Sequence, residues 1–278
     1  MNKKFSLNMI LVRFVMICYS VIVLYPMIWT ALTSFKTNKE FYQNPWALPK
    51  ALQFDNYIRA WVQSNFNDYF INSIIVTVFP LVISIVLAST TAYVLARFSF
   101  KGRKIFQFLY LSGLMVPAVL TIIPSFFLLK KLHMLDSLLG LICIYTARTL
   151  PFSMFVLIGF FKTMPRALEE AAMIDGCSHN RTFWSIMFPM ATSGLVTVNI
   201  FNFIYYWNEF ILGLTFISTA SKKTLPVGMA GMMEVARYKT DWGALFAGLM
   251  MIMIPTFIFY VIFQKKISKG LTSGALKG

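Results

Sequence analysis

The chain has 278 residues, 58% hydrophobic and only 13% charged, with a mean hydropathy of +0.69. A soluble domain carries about 25% charged residues, so this composition excludes an ordinary soluble fold and describes an all-α, polytopic membrane protein. The net charge of +15 would suit a nucleic-acid partner, but the basic residues are scattered through short polar segments, where positive charge at the cytoplasmic ends of membrane helices accounts for them and no nucleic acid is expected.

Six apolar runs are long enough to span a bilayer, at about 10–32, 70–96, 105–129, 138–161, 189–216 and 242–263. They make a single transmembrane domain over 1–278, with a polar loop at 162–189 and a tail at 264–278. Met1–Arg13 starts with charge as a signal peptide does, but the run behind it is long and has no small-residue cleavage site. An uncleaved first span is expected. The segment from Phe35 to Tyr69 is rich in aromatics and contains Pro45, Trp46, Pro49 and Trp61. A short interfacial helix is expected near Phe54–Val62, serving as an aromatic belt at the membrane surface or as a contact for an external partner. Pro26, Pro80, Pro117, Pro124, Pro151 and Pro255 punctuate the spans, either as packing kinks or as the lining of a solute path. Ser218–Asp241 forms the other sizeable outer loop.

Lys and Arg set the orientation. Lys3, Lys4 and Arg13, then Arg97, Lys101, Arg103 and Lys104, then Lys162, Arg166 and Arg181, and finally Lys265, Lys266, Lys269 and Lys277 fall on one side. Glu169, Glu170 and Asp175 are the only acidic residues there. The excess of positive charge places both termini and the 162–189 loop in the cytoplasm.

Residues for chemistry are few. Cys18, Cys143 and Cys177 are unrelated in spacing, which argues against a disulfide framework and a metal site. His133 and His179 lie in loops, and there is no His-Glu-x-x-His, no glycine-rich phosphate cradle and no Gly-x-Ser-x-Gly. No catalytic residue, no metal and no bound cofactor are expected, and the chain reads as a non-enzyme. Glu209 and Arg148 are the exceptions, ionisable groups within spans. A charge facing lipid costs roughly 2–4 kcal/mol, so each should face protein or water. A buried pairing or hydrogen-bonded cluster fits them, and so does a proton relay. No matched pair of broken helices in inverted halves supports the relay.

The 162–189 loop is the most informative stretch. Pro165 suits a first helical turn, Glu169 and Glu170 sit where the helix dipole favours carboxylates, and Gly176 is placed for a left-handed cap. Leu168, Ala171, Ala172 and Asp175 share a side, and the alanines would let a partner approach closely. A second short helical turn follows, capped by Ser178 or Asn180, with Phe183, Trp184 and Ile186 as its buried side. Pro189 then fits the first turn of the next long helix.

The string Glu170-Ala171-Ala172, three residues, Gly176, nine residues, then Ile186-x-x-Pro189 resembles the Glu-Ala-Ala loop of permease subunits of bacterial binding-protein-dependent ABC importers. Asp175-Gly176-Cys177-Ser178 and the Phe183…Ile186…Pro189 ending are most similar to the carbohydrate-uptake class, in particular the second permease subunit of maltose-type systems. Phe188 departs from the family's usual Leu, a mild apolar swap. Trp207-Asn208-Glu209-Phe210 resembles the same family's fifth membrane helix, and Gly270–Gly278 resembles its C-terminal end.

The resemblance implies a type I ABC importer permease in the bacterial cytoplasmic membrane, six helices with a cytoplasmic coupling helix. It implies half of the translocation path for a sugar, most similar to oligosaccharide systems, working by alternating access. Glu169, Glu170, Ala171, Ala172, Asp175 and Gly176 would couple to an ATPase, and Thr272, Ser273, Gly274 and Lys277 of the tail would contact it. Asn202, Tyr205, Tyr206, Asn208 and Glu209 would lie near the solute path. The implied partners are a homologous second permease, two cytoplasmic ATPase subunits holding ATP and Mg, and an extracytoplasmic solute-binding protein. A secondary transporter or channel for small polar solutes, and an importer permease for a non-sugar solute, are the alternatives.

Overall fold

The computed structural model describes the backbone of residues 7–63, 65–239 and 241–275, and the side chains of 9–62, 65–233 and 241–264. Among the described residues the regular structure is helical throughout. In chain order the helices are α1 (Leu7–Thr33), α2 (Asn38–Gln43), α3 (Asp55–Gln63), α4 (Phe66–Arg97), α5 (Arg103–Ser112), α6 (Ile122–Lys131), α7 (Leu138–Thr163), α8 (Ala167–Ile174), α9 (His179–Thr182), α10 (Phe188–Met190), α11 (Thr192–Asn208), α12 (Ile211–Phe216), α13 (Leu225–Lys239) and α14 (Trp242–Ala275).

Among the described residues, α1, α4, α7 and α14 are each long and apolar enough to cross a membrane. At 26 residues α7 is about 39 Å long, against about 30 Å of hydrocarbon. Each of the four runs through an internal proline, Pro26, Pro80, Pro151 and Pro255 respectively. Lacking an N–H, proline removes one helical hydrogen bond but leaves the rest of the ladder intact.

Two of the expected spans are not continuous helices. The run at 105–129 divides into α5 and α6, joined by a 3₁₀ turn at Ala118–Thr121. Pro117 has no N–H to give and pushes Val116 out of helical conformation, so α5 ends before it. Gly113, at the end of α5, lies so close to Pro151 that an added Cβ would meet its ring at 2.8 Å. The run at 189–216 is interrupted twice. The α9–α10 segment meets α11 at a 72° bend, and α11 stops at Asn208, where Glu209 takes an extended backbone (φ −68, ψ 126). If the bent pair counts as one crossing, the described residues contain up to five.

The chain forms two compact bodies. One comprises Met1–Asn67 with Gly228–Pro255. There Trp29 packs between Trp46 and Phe246, and Ala60 of α3 packs on Ala244 and Ala247 of α14. The fully buried Lys36 donates its Nζ to the Pro45 carbonyl at 2.7 Å, and Arg59 bridges Asp55 and Asp241. Most of α1 is apolar all round and exposed, from Met9 to Tyr25, which water would not tolerate and lipid or a partner would. The other body comprises Asp68–Val227 with Thr256–Gly278. Its cores join α4, α7 and α11 through Ala88, Ala92, Met154, Leu157, Val198 and their neighbours, and α6, α7 and α12 through Leu129, Leu141, Tyr145, Leu212 and Phe216.

Candidate functional site

Two groups of residues in the second body carry the chemistry the sequence pointed to. The first is built on α8. Glu169 and Glu170 are adjacent in its first turn, but they point to different surroundings. Glu169 Oε2 accepts from Arg97 Nε at 2.6 Å and from a second nitrogen of the same guanidinium, while its Oε1 accepts from the Tyr93 hydroxyl at 2.8 Å. The same guanidinium donates to the carbonyls of Phe161 (3.3 Å), Met164 (3.0 Å) and Pro165 (3.3 Å). Of these, the Phe161 carbonyl lies in the last turn of α7, whose dipole attracts a cation. One buried cation therefore ties the end of α4 to the end of α7 and to the start of α8. Losing one member of such a pair costs about 3–5 kcal/mol.

The rest of α8 divides by face. Ala172 is 3% exposed and Leu168 packs against the core, so the chain's own helices take up the surface that Ala172 was expected to offer a partner. Glu170, Ala171, Asp175 and Gly176 are exposed, and so are Met173 and Ile174, the latter at 86%. The helix ends with Gly176 at φ +75, with the Gly176 N–H on the Met173 carbonyl and the Cys177 N–H on the Ala172 carbonyl. This is a Schellman ending, which an L side chain at Gly176 would strain.

Ser178 caps α9, accepting from the Arg181 N–H. The buried face beyond it is not Phe183, Trp184 and Ile186 but Thr182, Phe183 and Met187, and Trp184 is 41% exposed. The reason is a π turn at Phe183–Met187, whose wider winding brings Phe183 and Met187 to the inside and turns Trp184 out.

The second group is a polar seam where α7 and α11 pack antiparallel, with α4 beside them. Asn202 Nδ2 donates to Ser153 Oγ at 3.0 Å and reaches Ser84 Oγ at 3.4 Å, and the Tyr206 and Thr149 hydroxyls bond to each other. Glu209, 9% exposed, accepts from the Tyr145 hydroxyl at 2.7 Å, the Leu212 N–H at 2.7 Å and the Gly213 N–H at 3.0 Å. The carboxylate thus caps α12 across the break in the backbone, which makes it a hydrogen-bonded cluster rather than one end of a relay. Of the five residues singled out on α11 and at its C-cap, Asn202, Tyr206 and Glu209 are buried in this seam. Tyr205 is half-buried and Asn208 exposed, with its amide on the Ile204 carbonyl.

Outside both groups, Asp136 joins the α6–α7 connection to the segment after α12. Its carboxylate accepts from the Thr219 hydroxyl and N–H, the Ser218 N–H and Lys222 Nζ. The Thr219 donors above all hold the carboxyl well below the usual carboxylate range.

Sequence reasoning did not find Tyr93, Arg97 or Tyr145. Arg97 read only as a loop charge, although Tyr93 four residues earlier puts a second donor on the same helical face. In the tail, the α14 backbone continues helical through Thr272, Ser273 and Gly274. Their side chains, and Lys277 altogether, lie outside the described residues.

The chain belongs to the family of binding-protein-dependent transport system inner membrane components, whose model matches residues 84–273 and so takes in both groups. It is thus a multi-pass membrane transport subunit, in a family of permeases rather than enzymes. It is 40% identical to the diacetylchitobiose uptake system permease protein NgcG of Streptomyces coelicolor, over 94% of this chain and 87% of that one. With the probable starch degradation products transport system permease protein AmyC of Thermoanaerobacterium thermosulfurigenes it shares 30% identity over 99% of each chain. Its fold matches a chain of a bacterial ABC transporter that imports the acidic polysaccharide alginate, with a TM-score of 0.85 at 23% identity, over 95% and 98% of the two chains.

Proposed function

We propose that this chain is one permease subunit of an ATP-driven importer for a sugar, in particular an oligosaccharide, and that α8 is the handle by which a separate ATPase moves it. The uptake of diacetylchitobiose and starch products by its relatives supports the sugar. A homologous second permease completes the path, two ATPase subunits hold ATP and Mg, and an extracytoplasmic binding protein delivers the solute. The α8 face lies in the cytoplasm with both termini, and the tail residues Thr272, Ser273, Gly274 and Lys277 reach the ATPase.

The observation that carries this reading is the division of α8. Glu169 and Ala172 bind it to its own bundle, while Glu170, Ala171, Met173 and Ile174 stand free for a partner. A rod fixed on one side and open on the other passes a push into α4 and α7 without bending. Closure of the ATPase pair on ATP then rocks the bundle between inward-open and outward-open states. On the solute side, Tyr205 and Asn208 are available to a sugar, whose ring faces suit aromatics and whose hydroxyls suit amides. Asn202, Tyr206 and Glu209 support them from behind.

The test is co-purification of the ATPase and sugar uptake with Glu170→Lys and Ile174→Asp. Both variants should insert normally, lose most of the attached ATPase and lose uptake. Wild-type attachment and uptake in both would reject the handle.

A further inference from the structure

The two helices that bury the polar seam carry a second row of residues on their open side, and that row contains the cation the seam leaves unused. Three hydrogen-bonded contacts set the register. Ser153 faces Asn202, Thr149 faces Tyr206, and Tyr145 reaches Glu209, so α7 and α11 run past each other in antiparallel steps of one turn. One residue round each helix, the Phe152 and Phe201 rings meet edge-to-face at 5.5 Å. One turn further along, the same register sets Arg148 opposite Tyr205, with Asn208 beyond.

Arg148 and Phe152 are half-buried, Phe201 is 36% exposed, Tyr205 is half-buried and Asn208 is exposed. Among the described residues, no carboxylate forms an ion pair with Arg148.

Arg148 is the eleventh residue of α7, about 15 Å from one end and about 22 Å from the other. At that distance from the helix ends a guanidinium facing lipid is disfavoured. Its five N–H groups need acceptors, and the open row supplies only a phenol and an amide. Water and a passing solute meet that need where lipid does not.

We propose that Arg148, with Tyr205 and Asn208, forms a cationic station in the solute path that selects sugars bearing an sp² oxygen acceptor, a carboxylate or an acetamido carbonyl. The guanidinium binds such a group in two parallel hydrogen bonds, while Phe152, Phe201 and Tyr205 offer ring faces to the sugar. A cationic solute is repelled at the same point. This inference rests on the permease reading above and adds to it the chemistry of the selected solute.

The test uses the assembled importer in nanodiscs, with Cys18, Cys143 and Cys177 replaced by Ala and Phe152→Cys added as a reporter one turn from Arg148. The reporter is labelled with a sulfonate-bearing methanethiosulfonate and with its trimethylammonium counterpart. With Arg148 present the anionic reagent is favoured, and the ratio of the two rates should fall about fivefold or more on Arg148→Gln. Glucuronate and N-acetylglucosamine should slow labelling more than glucose does, and Arg148→Gln should erase that difference. Whichever of the two protects better identifies the acceptor. No labelling, as on a face covered by lipid or by the second permease, overturns the proposal, and so does a ratio unchanged by Arg148→Gln. Uptake by the Phe152 parent is measured in parallel. Transport with an unlabelled reporter sinks only the station, whereas an assembly that never couples ATP to uptake sinks the permease reading itself.

Discussion

Glu209 shows how a single ionisable side chain is accommodated at membrane depth. It is surrounded by donors, two of them backbone N–H groups of α12 and the third the Tyr145 hydroxyl. Glu209→Ala removes the acceptor from all three, at about 1–3 kcal/mol for each group left buried without a partner. A thermal melt in detergent should show Glu209→Ala well below wild type and Glu209→Gln between them, since Gln keeps one acceptor oxygen. Asp136 obeys the same chemistry where pH can reach it. Its folded pKa is depressed, so the stability it contributes is fully present above the unfolded value of about 3.9, starts to fall there and is lost as pH drops through the depressed folded value. Asp136→Asn should therefore melt below wild type at pH 7, and the gap should narrow steadily with each step in pH below about 4. A gap that stays constant between about pH 7 and about pH 3 would assign the effect to packing instead.

At the scale of elements, the junction of α4, α7 and α8 depends on Arg97. Arg97→Ala leaves Glu169 and three carbonyls without their cation, whereas Arg97→Lys keeps a charge but has too few donors in fixed directions to reach all of them. We expect Arg97→Ala to retain ATPase attachment, because the outer face of α8 is untouched, and to hydrolyse ATP with uptake reduced at least tenfold. Arg97→Lys should fall between. The measurement is moles of sugar imported per mole of ATP hydrolysed, and an unchanged ratio would reduce Arg97 to a scaffold residue. The elements around it show where pattern reading works and where it fails. Pro165, the paired glutamates and Gly176 marked α8 and its cap because each acts through its own backbone. Trp184 was misplaced because periodicity assumes 3.6 residues per turn, and a π turn does not obey that. The α5–α6 and Asn208–Ile211 breaks were hidden inside runs apolar enough on average to span, since mean apolarity records depth in a membrane and carries no information on helix continuity.

For the whole molecule, the exposed apolar surface of α1, with that of α4 and α14, defines what surrounds it. The distribution of Lys and Arg predicts its direction. Green fluorescent protein fused after Gly278 should fluoresce, since it folds in the cytoplasm, and alkaline phosphatase fused there should be inactive. The opposite result would put the α8 face outside and end the coupling proposal. Composition, charge placement and the Glu-Ala-Ala spacing were enough for the membrane class, the all-α architecture and the family, because each is a one-dimensional property of the chain. The open solute-side row was legible only in part, since Arg148 and Tyr205 lie 57 residues apart in sequence. What the tertiary structure alone decided is partnership. It turned Glu169 inward to Arg97 and left Glu170 outside, and it set Tyr145 on Glu209 and Arg148 opposite Tyr205. Hydrogen bonds act over about 3 Å, and no pattern along the chain specifies which distant donors folding will bring that close.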